Sequence, residues 1–221
     1  MPLLPVLLFL WGLVLLLSSL SGRLDLLLHA VFHGLVALAG VALIALALAL
    51  ALLSARSRLP RLRPALTWKL TGLVAVAVLL LPPDPSFSVL ASGRPQGLPE
   101  PPPLAFLLPP EQRSLSEWVR LLRTYPDPAL YNGQAVRISG FVLPQPQGPA
   151  LLARLQVRCC LADATPMGLP VAWPAGLQPR ANQWLAIEGQ MTTAPVDGEM
   201  SSVVQPRRIR AIARPRRPLE P

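Results

Sequence analysis

The chain of 221 residues is 52% hydrophobic and only 14% charged, and its formal net charge is +9. This composition excludes a single ordinary soluble domain, because such domains carry about 25% charged residues. Part of the chain is therefore expected to lie in lipid.

Three apolar blocks within residues 1–81 predict transmembrane helices. Leu3–Leu20 contains no charged residue, and Leu24–Leu53 contains one acid near its start. Both blocks reach the roughly 20 residues that cross a bilayer. The third block, residues 66–81, is shorter, so it is expected either to span the bilayer or to form an interfacial or buried helix. The sequence predicts two to three spans.

The charges between the blocks predict an orientation. The linker after the second block is basic and contains no acid; its basic residues are Arg56, Arg58, Arg61, Arg63 and Lys69. By the positive-inside rule this linker faces the cytoplasm, and with three spans everything after Pro82 then lies outside. An alternative is that Leu3–Leu20 is a signal peptide cleaved near Ser19–Ser21, although the start lacks a basic region. Both interpretations keep the C-terminal part outside.

Residues 82–113 predict a stiff linker. Residues 82–110 contain ten of the 28 prolines and show no sustained periodicity. Such a segment favours extended, polyproline-like geometry over helix or central strand. We expect it to hold the following domain away from the membrane.

Residues 114–221 predict a small all-β domain preceded by a short helix. Ser114 and Glu117 form a possible capping box, and Tyr125-Pro126 ends that helix. Strand-like segments follow at residues 135–143, 150–159, 168–173, 183–192 and 200–213, the last two joined across Asp197-Gly198. Five short strands predict an OB-like barrel. A basic tail with six arginines between Arg207 and Arg217 ends the chain.

Two functional classes find no support in the sequence. The aromatic residues are spread over separate strands without the interleaving of a base-stacking surface, so no nucleic acid partner is expected, and the basic tail is interpreted as solvated or facing lipid headgroups. There is no Ser-His-Asp order within one domain, no phosphate-binding glycine loop and no tuned carboxylate pair. We therefore do not predict an enzyme.

The only two cysteines, Cys159 and Cys160, are adjacent. A bond between them would close a strained ring, so a stabilising disulfide is not the obvious explanation. As thiolates they could bind a soft metal with Asp163, although a closed tetrahedral site needs about four ligands and would require another chain. They could instead cycle through an easily reduced disulfide. A structural alternative is one buried cysteine before a tight connection that turns at Pro166 and Gly168.

A second polar group lies in the apolar region. Asp25, His29 and His33 are four residues apart, which predicts one polar stripe on a helix. Ionisable groups inside a span are costly and usually face a partner or a water-filled cavity, so a proton or ion contact is one interpretation. The alternative is an ordinary interfacial turn exposed to water and headgroups.

The segment Cys159–Val171 resembles the C-C-x-A-D-A-x-P-x-G-L-x-V signature of the YcgQ-type family of bacterial membrane proteins, and Gly133–Val142 resembles that family's G-x-x-V-x-x-x-G-F-V strand. The resemblance implies a subunit in the bacterial plasma (inner) membrane that works with a separate multi-span permease of the YraQ/YcgR type. Family members often carry a His-rich cytoplasmic linker, which hints at metal handling. Residues 54–67 contain no histidine, so this role is not carried over and cofactors stay open.

The function expected from these observations is a membrane-anchored accessory subunit of a two-component permease with an unknown substrate and a possible link to metal or ion handling. The alternative is a membrane-tethered thiol redox or metal-binding protein that uses the vicinal cysteines.

Overall fold

The computed structural model describes residues 3–56, 66–81, 84–94, 108–146, 148–196 and 198–220. These residues form two units. The helical unit contains residues 1–84 together with Cys159–Leu161, and the sheet unit contains residues 85–158 and 162–221. Among the sequence features discussed above, Arg58, Arg61, Arg63 and Asp197 lie outside the described residues.

Within its described residues, the helical unit has three α-helices: α1 (Leu3–Leu20), α2 (His33–Arg56) and α3 (Leu66–Leu80). Two N-terminal apolar segments, Leu3–Leu20 and Ala30–Ser54, are long and apolar enough to span a membrane. Helix α3 has 15 residues and is shorter than those two. The bounds of α1 and α3 agree with the apolar blocks.

Helices α1 and α2 pack through a glycine seam formed by Gly12 and Gly40. A Cβ atom on Gly12 would lie 2.8 Å from the Gly40 carbonyl oxygen, and one on Gly40 would lie 2.9 Å from the Gly12 oxygen. Only glycine allows the two backbones to approach this closely, as in many helix pairs within membranes.

The second apolar block does not form a helix from residue 24, so that prediction is wrong over residues 24–32. Short 3₁₀ turns occupy Arg23–Leu26 and Ala30–Phe32 instead. Between them His29 is extended, and its ring Nδ1 accepts a hydrogen bond from the Val31 amide at 3.3 Å. This local bond competes with a continuous helix, and α2 therefore begins only at His33.

Arg23 joins the turn after α1 to the end of α3. Its guanidinium donates to the carbonyl oxygens of Val78 and Leu79 at 3.0–3.3 Å. These carbonyls belong to the last turn of α3, where a helix leaves its acceptors without internal partners. The C-terminal end of α3 therefore lies beside the turn after α1.

The described part of the sheet unit contains six strands, whose bounds are β1 (Ala135–Leu143), β2 (Leu151–Gln156), β3 (Thr165–Pro170), β4 (Trp184–Val196), β5 (Glu199–Ala211) and β6 (Leu219–Glu220). The main path is antiparallel in the order β3-β2-β1-β4-β5, and β6 pairs in parallel with β2. Ile138, Ile187 and Ile209 align across the three consecutive strands β1, β4 and β5.

The predicted OB-like barrel is wrong, because the sheet is open. Its end strands, β3 and β5, approach at one bridge between Val171 and Val204, where the Ala172 amide also donates to the Val204 oxygen at 2.9 Å. Pro174 follows two residues later and has no amide hydrogen to extend this pairing.

Helix α5 (Leu115–Thr124) covers one face of the sheet. Its capping box is present, since the Ser114 hydroxyl accepts from the Glu117 amide and the Glu117 carboxylate accepts from the Ser114 amide. The core between α5 and the sheet includes Leu115, Trp118, Leu121, Ile138, Ile187 and Met191, all buried. This part of the domain agrees with its sequence prediction.

The proline-rich linker contains a helix that the sequence did not predict, α4 (Phe87–Ser92). Phe87 is fully buried, and its ring centroid lies 5.7 Å from that of Phe141 and 5.6 Å from that of Trp184. The Asn182 side-chain oxygen accepts from the Phe87 amide at 2.9 Å. The sheet unit therefore begins at residue 85, and the linker residues 95–107 lie outside the described part.

The predicted basic tail is largely ordered structure. Arg207, Arg208 and Arg210 lie within β5, and β6 holds the following segment against β2. Arg154 anchors this segment: its guanidinium donates to Pro218 O at 3.1 Å and lies 3.6 Å from the Glu220 carboxylate. Burial lowers the pKa of Arg154, and the Glu220 charge partly offsets this effect.

Candidate functional site

The vicinal cysteines lie in a loop between β2 and β3 that we call the dithiol loop, residues 158–163. The two Sγ atoms are 3.6 Å apart. A disulfide requires about 2.05 Å, so the two sulfurs are not bonded to each other. Cys159 is exposed and Cys160 is half-buried, which leaves both thiols accessible to small reagents.

Asp163 lies at the end of a 3₁₀ turn, Leu161–Asp163, in the same loop. Its Oδ1 accepts a hydrogen bond from the Arg158 amide at 3.0 Å, which orients the carboxylate. The ligand atoms of Cys159, Cys160 and Asp163 all lie within 4.8 Å of one another. The structure therefore brings together the three residues that the sequence selected, and none of them is buried.

The expected turn at Pro166 and Gly168 is not observed. Both residues belong to β3, where Gly168 pairs with Ala153 and Pro166 pairs with Leu155. A Cβ on Gly168 would lie 2.8 Å from the Leu151 side chain, so this glycine allows close cross-strand packing. The Leu161–Asp163 turn changes the chain direction instead.

The predicted stripe of Asp25, His29 and His33 is not observed as one group. Asp25 and His33 lie close together, whereas His29 caps the 3₁₀ turn Ala30–Phe32. Asp25 Oδ1 lies 4.0 Å from His33 Nδ1, and His33 Nε2 lies 3.3 Å from the Leu28 carbonyl oxygen. The His29 ring accepts from the Val31 amide. These residues therefore do not form one helical face, although Asp25 and His33 do meet.

Within the helical unit, the segment Leu27–His29 pairs with Cys159–Leu161. The His29 amide donates to the Cys159 oxygen at 2.9 Å, and the Leu161 amide donates to the Leu27 oxygen at 2.8 Å. These bonds enclose an antiparallel bridge between Leu28 and Cys160. Sequence reasoning missed this pairing, because two irregular segments far apart in the chain carry no periodic signal.

The chemistry available at the dithiol loop follows from its donor atoms. Two thiols and one carboxylate can lose protons and bind a thiophilic cation, and two adjacent thiols can also form a disulfide. Within the described residues, this is the one group of three or more Cys, His, Asp or Glu side chains close enough to share a metal ion.

Comparison with known proteins assigns the C-terminal part of the chain. Residues 111–219 match the family described as the DUF1980 C-terminal domain. No match is found among curated proteins or among solved structures. The matched range covers α5, the strands β1 to β5, the first residue of β6 and the dithiol loop. The chain therefore contains a DUF1980 C-terminal domain at residues 111–219, consistent with the YcgQ-type resemblance of its sequence.

Proposed function

We propose that this chain is a membrane-anchored accessory subunit of a multi-span permease in the bacterial plasma (inner) membrane. The observation that carries the proposal is the apolar outer surface of the helical unit. Leu35, Leu38 and Leu73 are 62–66% exposed, although α1 and α2 pack closely on each other. Lipid and the helices of a second membrane protein are the surroundings that would cover such a surface.

The contact between Arg23 and α3 supports a specific topology. Because the end of α3 lies beside the turn after α1, helices α1 and α3 run in the same direction. Three crossings would bring residue 84 to the side opposite the basic linker, whose arginines favour the cytoplasm. The DUF1980 C-terminal domain would then lie outside the cytoplasm.

The partner is testable by site-specific photo-crosslinking in living cells. A photoreactive residue at Leu38, which is 66% exposed, should capture a larger multi-span membrane protein. The matched control is Leu7, which is 7% exposed and faces the interior of the helical unit. Absence of any protein adduct at Leu38, together with purification of the chain alone in mild detergent, would contradict the subunit proposal.

The topology is testable with the native thiols. A membrane-impermeant maleimide should label Cys159 or Cys160 in intact spheroplasts, and C159S/C160S should abolish this label. In that cysteine-free chain, Ser54→Cys introduces a thiol at the end of α2, and we expect its labelling only after permeabilisation. The reverse pattern would exclude an extracytoplasmic C-terminal domain.

A second candidate function is thiol redox chemistry, favoured by the 3.6 Å distance between the two Sγ atoms and the exposure of Cys159. The two thiols would pass two electrons and two protons to a disulfide of another protein and become a vicinal disulfide. Mass spectrometry of alkylated protein, trapped directly from cells, would detect the oxidised pair. A fully alkylated Cys159–Cys160 pair under oxidant would exclude this function.

A further inference from the structure

We infer that Cys159, Cys160 and Asp163 form an open three-ligand site for a thiophilic divalent metal ion, with Zn²⁺ as the best fit. The inference does not depend on the permease proposal. It rests on the spacing of the donor atoms, the orientation of the carboxylate and the exposure of the loop.

The sulfur spacing matches two thiolates on one tetrahedral ion. Zinc–sulfur bonds of about 2.3 Å at the tetrahedral angle place two sulfurs about 3.8 Å apart. The observed distance between Cys159 Sγ and Cys160 Sγ is 3.6 Å. A linear two-thiolate ion would need a separation of about twice the metal–sulfur bond, roughly 4.6 Å. The geometry therefore favours a tetrahedral ion over a linear one.

Asp163 supplies the third ligand. Its carboxylate lies within 4.8 Å of both sulfurs, and a zinc-bound oxygen and sulfur lie about 3.5 Å apart, so small side-chain rotations complete the contact. The hydrogen bond from the Arg158 amide to Asp163 Oδ1 already orients this carboxylate. Partners of this kind fix the direction of a metal ligand before the metal binds.

The exposure of the site leaves the fourth coordination position of a tetrahedral ion open to solvent. Closed structural zinc sites have four protein ligands, whereas catalytic or exchangeable sites have three and keep one position for water or another molecule. Here Cys159 is exposed and none of the three ligands is buried. A bound ion would therefore be accessible to a fourth ligand from solvent or from a second protein.

The charge balance predicts pH dependence. Each thiol releases its proton when it becomes a metal ligand, so binding of one Zn²⁺ releases up to two protons. Two thiolates, one carboxylate and one divalent ion leave a net charge of −1 at the loop. Arg158, which precedes Cys159 in the chain, is exposed.

The test uses the full chain in mild detergent, reduced with a phosphine so that no added thiol competes for metal. Zn²⁺ is titrated against a chromophoric chelator, and Co²⁺ serves as a spectroscopic probe of the ligands. We expect one ion per chain, a thiolate-to-cobalt charge-transfer band, and d–d bands with tetrahedral intensity. Affinity should fall as the pH is lowered, because binding releases up to two protons.

The variants identify the ligands. C159S and C160S should each abolish the charge-transfer band or reduce its intensity. Each should also lower the affinity for Zn²⁺ by at least about 100-fold. D163N should weaken binding by about 10–100-fold and retain the band. Glu188→Gln removes an exposed carboxylate on β4 and should leave binding unchanged. No charge-transfer band in the reduced protein, or Zn²⁺ binding unaffected by C159S/C160S, would overturn the inference.

Discussion

Replacing Arg154 by methionine should destabilise the sheet unit by about 3 kcal/mol. The Arg154 guanidinium donates to Ser139 O at 2.8 Å, to Ser139 Oγ at 2.9 Å and to Pro218 O at 3.1 Å, and it lies 3.6 Å from the Glu220 carboxylate. Its carbon centre also lies 4.9 Å from the Trp184 ring centroid.

The magnitude follows from what the substitution leaves behind. Removing one member of a buried ion pair costs about 3–5 kcal/mol, because the remaining charge and hydrogen-bonding groups lose their partner. The Glu220 side chain is 17% exposed, so water partly replaces the lost contact, and the lower end of that range applies. Methionine also recovers some of the apolar packing of the arginine stem.

The assay is urea unfolding of the full chain in mild detergent, followed by tryptophan fluorescence, to which Trp184 contributes. The matched control is Arg137→Met, an exposed arginine on β1, which should change the unfolding free energy by less than about 0.5 kcal/mol. Adding E220Q to R154M should recover part of the loss, since it removes the uncompensated charge. A loss below about 1 kcal/mol for R154M, or an equal loss for R137M, would refute this reasoning.

Three further changes test other parts of the structure. Gly12→Leu places a side chain 2.7–2.8 Å from α2 atoms and should separate α1 from α2, seen as aggregation in detergent gel filtration, whereas Gly34→Leu, with no atom within 4 Å, should remain monodisperse. Burial raises the pKa of Tyr131, so the stability that its neutral side chain contributes is present below pH about 10 and is lost as pH rises through the folded-state pKa. The free energy of unfolding, measured with urea between about pH 9 and 12, should therefore fall less steeply for Tyr131→Phe than for the unchanged protein. Ser114→Ala removes the N-cap of α5 and should cost about 1 kcal/mol in urea unfolding, and no change would exclude a stabilising cap.

Local signals predicted most of the elements. The apolar block at Leu3–Leu20 and the alternating segment at Ala135–Leu143 agree residue for residue with α1 and β1. The capping box at Ser114 and Glu117 also forms as expected. In each case the determinant lies within a few consecutive residues, through apolar periodicity or a bond three residues along the chain.

The features that the sequence did not predict depend on distant partners. Helix α4 forms in a proline-rich segment because Phe87 packs on Phe141 and Trp184 and because Asn182 caps its start. The start of α2 at His33 follows the local bond from the Val31 amide to the His29 ring, and the distant pairing of Leu28 with Cys160 also holds the preceding residues outside the helix. The sheet is open because its two end strands, β3 and β5, approach each other at a single bridge, between Val171 and Val204. The number of strands, which the sequence indicates, does not determine whether the end strands pair.

The three candidate ligands were identifiable because they lie within five consecutive residues. Their spacing was not, since neighbouring side chains in an extended strand point to opposite faces, which would separate the two sulfurs. Here Cys159 and Cys160 precede a 3₁₀ turn after β2, and their Sγ atoms lie 3.6 Å apart.

The pairing between Leu27–His29 and Cys159–Leu161 uses amide and carbonyl groups only. Every amino acid other than proline carries both groups, so this pairing is independent of which side chains occupy positions 159 and 160. The same backbone could therefore carry histidine or serine there without losing the pairing. The side chains at positions 159 and 160 can consequently be exchanged for other metal-binding or polar side chains, by evolution or by engineering, while the backbone that carries them keeps its structure.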